Sequence, residues 1–258
     1  MLMVLASAFL AACATPNAPD ASAGKPDILL FGERHDAPGQ VTVVVASLNQ
    51  LANAQHLSAL VLEMAPAGTT TVALGRDATP DAIRQALRWS ERSWPWERYA
   101  PAITAMVAAG IPVIGANLPQ DQMAAAMADV SLDAQLPASA RERLSTALRE
   151  GHCGLLPESR LPQMLRIQIA RDRSMAHALA ESAAGGRTAV LLAGSGHVDA
   201  AMGVPQHLPT QLRVRAIALV ADGDVARGRF DELQPTPPAP AGDPCAGLAT
   251  RLGPKPAR

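Results

Sequence analysis

The sequence predicts an α/β fold, a mainly parallel sheet flanked by helices with a smaller all-helical domain inserted into it. Three observations carry that expectation. Four short apolar runs, at 27–31, 59–62, 111–116 and 188–193, lack the polar alternation of half-exposed strands, as strands covered on both faces should. Segments of helical length separate them, and strand–helix–strand alternation implies parallel pairing through right-handed crossovers. The stretch 131–186 holds no good strand and more helix than one crossover needs, so it reads as an inserted lobe.

Taken in order, the first strand runs over 27–31 and stops at Gly32. "GQVTVVVASLNQLANAQHL" follows, with the length and apolar stripe of a helix, and leads into the second strand at 59–62. Helical patterns at 79–88 and 96–109 precede the third strand at 111–116, and a short one at 121–127 follows it. The lobe contains "PASARERLSTALREG" and "LPQMLRIQIARDRSMAHALAESAAGG". The fourth strand at 188–193 and a fifth, "LRVRAIALV" at 212–220, complete the sheet. From Gln234 on the chain is rich in proline and reads as irregular. The expected organisation is therefore an α/β domain at 27–130 and 187–233, a helical lobe at 131–186, and a tail at 234–258.

Each of the first four strands ends in polar residues: Glu33 and His35 after the first, Glu63 after the second, Asn117 after the third, His197 after the fourth. In an open parallel sheet those ends share one edge, where ligands bind. Any one of these residues alone is more often a solvated loop residue or a helix cap. Five polar groups from four separated segments are expected to meet in one cleft. "GSGH", Gly194 to His197, fits that edge, because two glycines let the backbone turn tightly while presenting an imidazole.

The chain has 258 residues, 48% of them hydrophobic, enough to bury a full core. A net charge of −1 leaves no electrostatic footprint for nucleic acid or an anionic membrane. "MLMVLASAFLAAC" is apolar and too short to span a bilayer, and a Pro/Ala/Asn/Asp-rich tether follows it. Residues 1–26 thus read as a lipoprotein signal peptide and tether, with "LAAC" as the lipobox and Cys13 as the lipidated residue. A simple cleaved signal peptide with an incidental cysteine is the plainer alternative. No Lys or Arg precedes the apolar run, which departs from the pattern and implies an upstream start. Ala14 after the cysteine implies sorting to the outer membrane, on its periplasmic face. That leaves Cys153 and Cys245, for which a disulfide is the simplest use in an oxidising periplasm; the plainer alternative is two unrelated thiols.

Several motifs together resemble the ChaN-like haem-binding lipoproteins, related more distantly to the erythromycin esterase and Tiki/TraB group. They are "LFGERHD", "VLEM", "WSERSWPWERYAPAI", "IPVIGANLP", "GHCGLLPE", "QIARDRSMA" and "GSGHVD", in the family's order from about Asp27 to Val220. The resemblance implies an α/β domain with a smaller helical domain, and a role in haem or iron uptake or storage. It also implies haem held between two subunits of a haem-dependent homodimer, with a tyrosine on the iron and basic or histidine side chains at the propionates. Ferric iron is hard and favours an anionic oxygen donor. The only tyrosine is Tyr99, and Trp94 and Trp96 would offer flat apolar surface beside it. The plainer alternative is that Trp89, Trp94, Trp96 and Tyr99 seal a helix against the sheet. Lysines stand only at 25 and 255, so the propionate candidates are His152, Arg166, Arg171 and His177.

Two other classes compete with haem binding. His35 and His197, with Glu63 or Glu33, resemble a catalytic divalent-metal site with an open position for water, the second glutamate acting as general base of a hydrolase. A glutamate–histidine pair can also activate water without metal. No HExxH and no GxSxG stands in the chain, so neither a zincin nor a serine hydrolase is indicated. The third class is a cell-surface scaffold whose cleft takes no ligand.

Overall fold

Apolar residues at successive positions of the central strands decide the architecture, because they give the sheet two apolar faces that both need covering. In a computed structural model, which describes residues 24–183, 185–240 and 245–246, the strands are β1 (Ile28–Glu33), β2 (Leu57–Pro66), β3 (Val113–Asn117), β4 (Thr188–Gly194), β5 (Val214–Ala221) and β6 (Glu232–Thr236). They form one sheet in the order β3-β2-β4-β1-β5-β6, and every neighbouring pair is parallel. The α/β fold expected from the sequence is therefore present.

One face carries Leu29, Phe31, Leu60, Leu62, Val190 and Leu192. It is covered by α1 (Gly39–Asn53), through Val41, Val44 and Leu48, and by α3 (Trp96–Ala109), through Tyr99, Ile103 and Met106. The short α2 (Pro80–Ala86), capped by the Thr79 hydroxyl accepting from the Ala82 N–H at 3.3 Å, packs beside α3. The other face carries Ile28, Leu30, Val61, Leu191 and Ala193 and is covered by Met175, Ala176 and Leu179 of α6 (Leu161–Ser182). A third apolar cluster joins α4 (Met123–Ala128), α5 (Ala138–Gly151) and the first half of α6, through Ala126, Leu144, Leu148, Leu161 and Ile169. The four-residue α7 (Ser195–Val198) follows β4 directly. Among the described residues no helix is long and apolar enough to cross a membrane.

The helices expected to form a lobe at 131–186 share an apolar cluster that extends beyond those bounds. Its core begins with Ala126 of α4, and α6 belongs to both halves, its N-terminal part in the lobe and its C-terminal part on the sheet. One long helix thus welds lobe to sheet. The tail also differs: 234–236 is not irregular but completes β6, hydrogen-bonded beside β5. An edge strand pairs through its main chain and tolerates a proline, here Pro235, whose missing N–H costs nothing on the open side. Gln40, wholly buried, fastens this edge by donating to the Leu219 carbonyl at 3.1 Å and the Thr236 hydroxyl at 3.3 Å.

The disulfide expected from cysteine parity joins Cys153 to Cys245, with Cα atoms 5.8 Å apart and a sequence separation of 92. It ties the turn after α5 to the segment beyond β6. The expected lipobox and Cys13 lie outside the described residues.

Candidate active site and ligand cleft

Strand parity aims the acids. Glu33 continues the register of Leu29 and Phe31, so it faces α3, whereas Glu63 continues that of Val61 and faces α6. Both are nearly sealed, at 1% and 3% exposure. Buried carboxylates demand partners, and the structure supplies them as one alternating chain. Tyr99 donates its phenol hydrogen to Glu33 at 2.7 Å, and His35 Nδ1 meets the same Glu33 oxygen at 2.9 Å. His35 Nε2 lies 3.5 Å from Glu63 Oε2, and His197 Nε2 lies 3.4 Å from Glu63 Oε1. His197 Nδ1 closes the chain on Asp172 of α6 at 2.6 Å.

Backbone features hold the chain in place. The Gly194 N–H donates to Glu63 at 2.7 Å, and a Cβ on Gly194 would come within 2.8 Å of His35 Nε2. Glycine is therefore required there for the imidazole to reach Glu63. The Arg34 N–H donates to Gln40 Oε1 at 2.7 Å, and the Arg34 side chain bonds Asp36 and Asp224 at 2.6 and 2.8 Å, which fixes the loop that presents His35.

These contacts set the proton affinities. Burial alone would lower the pKa of His197, but the carboxylates of Glu63 and Asp172 and the hydrogen bonds to them outweigh it and hold it up at about 10. Burial would likewise raise Glu63, yet the two histidines and the Gly194 N–H pull it well below the ordinary carboxylate range. Burial and the charge of Glu63 raise Asp172 in spite of His197. For His35 the opposing burial is outweighed by Glu33 and Glu63, which raise it. Protons are thus shared along the chain, with His197 its most strongly held cation.

Four of the five expected strand-end residues, Glu33, His35, Glu63 and His197, do converge. Asn117 does not. Its strand is at the sheet edge, separated from β4 and β1 by β2, and its side chain lines a second cleft of about 610 Å³ with Arg171, Trp94, Met64 and Met123. Asp172, an essential link, was not singled out in the sequence, where an aspartate in a helix reads as a solvated face. His35, Glu63 and His197 are neighbours as the metal-site expectation requires. Even so, among the described residues no group of three or more His, Cys, Asp and Glu is arranged to hold a metal ion. Each imidazole pairs with a different oxygen of Glu63.

The expected haem surface is also rearranged. Tyr99 has no exposed area and Trp96 only 4%; with Trp89 and the half-buried Trp94 they pack α3 against the sheet, Trp94 reaching His35 edge-on at 4.8 Å between ring centres. Burial, followed by the charge of Glu33 and the hydrogen bond to it, pushes the Tyr99 phenol far above its ordinary pKa. Its hydroxyl is enclosed and given to Glu33, so Tyr99 presents no surface to a ligand. Arg166 is committed to Asp133 at 2.7 Å, and His177 is an exposed residue near Glu181.

His152 instead lines a cleft of about 620 Å³ between the ends of β1 and β4 and the helices α5 and α6. Its floor is Glu33, His35, Asp172 and His197; its wall is apolar, formed by Leu144, Ala147, Leu148 and Met202. A volume of this order, with one apolar wall and a few convergent polar groups, suits a small-molecule ligand.

Comparison with one solved structure agrees on the fold. A Campylobacter jejuni structure described as cofacial heme binding to ChaN matches with a TM-score of 0.65 and 21% identity, over 80% of this chain and 84% of that one. The type III effector HopBA1 matches with a TM-score of 0.43 and 15% identity, over 83% and 88%. No curated relative matches. The family model described as haem-binding uptake, Tiki superfamily, ChaN covers residues 21–208, and with that span the chain belongs to the ChaN family of haem-binding uptake proteins.

Proposed function

We propose that this chain binds haem in the cleft between β1, β4, α5 and α6, as an outer-membrane lipoprotein serving haem or iron uptake or storage. The observation that supports this reading is the cleft itself, whose lining combines the apolar Leu144, Ala147, Leu148 and Met202 with several polar groups. A porphyrin needs that division, an apolar surface for its face and polar groups at its edge. Bound haem would supply a redox-active iron that can be carried or stored, and the protein's part is to hold it out of water. The membrane anchor is supported by "LAAC" and the polar tether behind it.

The test is titration of the purified protein with haemin. A saturable Soret band of fixed stoichiometry is expected, and absence of saturable binding overturns the haem reading. Ala147→Trp fills the cleft from a half-buried position and should weaken binding at least about tenfold without unfolding the chain. Replacement of Cys13 by Ser should release the protein from membranes, and unaltered retention argues against the anchor.

The floor favours a second function of a different class, hydrolysis. Glu33 with His35 is a carboxylate–imidazole pair that opens on the cleft, the imidazole partly exposed and its Nε2 held only by a long 3.5 Å contact to Glu63, an arrangement able to move a proton to or from water. Ester or peptide turnover that disappears in Glu63→Gln while haemin binding persists would establish it.

A further inference from the structure

We propose that the axial ligand of the haem iron in this chain is the imidazole of His152, not a tyrosinate. The inference rests on the haem reading above and takes it one step further, to the atom that would hold the iron.

Proteins ligate haem iron through histidine, cysteine, methionine or tyrosine, so the candidates can be taken in turn. The single tyrosine is shut inside the α3 core with its hydroxyl given to Glu33. Cys153 and Cys245 are consumed in the disulfide. His35 has Glu33 on one ring nitrogen and Glu63 on the other, and His197 has Asp172 and Glu63. Neither can reach an iron without leaving a buried carboxylate unpaired, which is costly. His56 precedes β2, at the opposite edge of the sheet, and neither His177 nor His207 lines the cleft. Met202 does line it, but a thioether accompanies a histidine on haem iron rather than replacing one.

His152 has the attributes the others lack. Its Nδ1 lies 2.8 Å from the Leu148 carbonyl one turn back in α5. A carbonyl only accepts, so Nδ1 carries the hydrogen, and in the neutral ring the lone pair is then on Nε2. That is the tautomer that binds a metal through Nε2, with the second nitrogen anchored to the backbone as in other histidine sites. The residue lies on the cleft lining beside Leu148 and Ala147, the apolar wall on which a porphyrin face would rest. Its position is also fixed from behind. Cys153, the next residue, adopts a left-handed φ of 56° and is tied by the disulfide to Cys245, while the Leu155 N–H donates to the His152 carbonyl at 2.9 Å. The imidazole is thus carried on a pinned turn whose geometry is set before any ligand arrives.

The experiment is haemin titration of the full-length protein, wild type against His152→Ala and Tyr99→Phe, read by Soret absorption and by resonance Raman spectroscopy of the reduced complex. Expected for the wild type is an iron–imidazole stretching band. In His152→Ala that band should vanish and binding should weaken at least about tenfold, with added free imidazole restoring the wild-type spectrum. Tyr99→Phe should keep the wild-type spectrum. If the wild type binds haemin and His152→Ala gives the same spectrum and affinity, the ligand assignment is overturned while the haem reading stands. Loss of the spectrum in Tyr99→Phe, with its circular dichroism unchanged, overturns the assignment as well. If the wild type shows no saturable binding, both fall together.

Discussion

Glu63 shows how much a single side chain can depend on its neighbours. A carboxylate with 3% exposure is tolerable only because the Gly194 N–H and two imidazoles face it, and Gly194 must lack a Cβ for His35 to be one of them. Gly194→Ala should therefore displace His35, leave Glu63 short of a partner and destabilise the fold by roughly 2–3 kcal/mol, measured by denaturant unfolding. A change within a few tenths of a kcal/mol would mean that His35 yields without cost. Asp172→Asn keeps the size and removes the charge. It should lower the pKa of His197 from its present value of about 10, which the ring-proton NMR signals of His197 would report. Glu33, His35, Glu63 and His197 were legible in the sequence because strand ends in a parallel sheet must share an edge. Asp172 was not, since nothing in "QIARDRSMA" says which helical face turns inward. Tyr99 illustrates the opposite failure: a lone tyrosine among tryptophans suggests a ligand surface, and only packing shows that its hydroxyl serves a buried acid.

Elements were legible where periodicity was strong. α3 follows the expected 96–109, because its apolar stripe and the left-handed Gly110 after it leave little choice. β6 was missed because an edge strand makes its bonds through the backbone and shows no apolar run. The division of α6 between sheet and lobe was not legible for a related reason: it has apolar residues for two different cores, and a sequence pattern does not tell them apart. The disulfide has its effect at this scale. It closes 92 positions of chain, so Cys245→Ser should cost about 4 kcal/mol in the chain-entropy view. If the turn after α5 is held in place by that bond, the same variant should also broaden the Soret band of bound haemin. Equal unfolding free energies with and without reductant would show that the bond constrains little.

At the scale of the molecule, the buried chain from Tyr99 to Asp172 stitches together β1, β2, α3, α6 and α7, so its protonation state bears on global stability. The charged form of His197 is favoured by the fold, its pKa standing at about 10 against an ordinary 6.5. Stability from that charge is fully present below about pH 6.5 and is lost as the pH rises through the folded value. Glu63 has the opposite sign. Its depressed pKa contributes stability above the ordinary carboxylate range, lost only as the solution becomes strongly acidic. Asp172, raised by burial, offsets part of both. The balance predicts a melting temperature highest in mildly acidic solution and falling from about pH 6.5 to about pH 10. In His197→Gln the plateau should be lower and that alkaline decline largely absent, as scanning calorimetry at the two pH values would show. Should the variant fail to fold, the wild-type His197 ring protons give the same information by titrating well above the ordinary histidine range. A wild-type melting temperature equal at both pH values, with His197 titrating near 6.5, would mean that the proton is not held by the acids on either side of it.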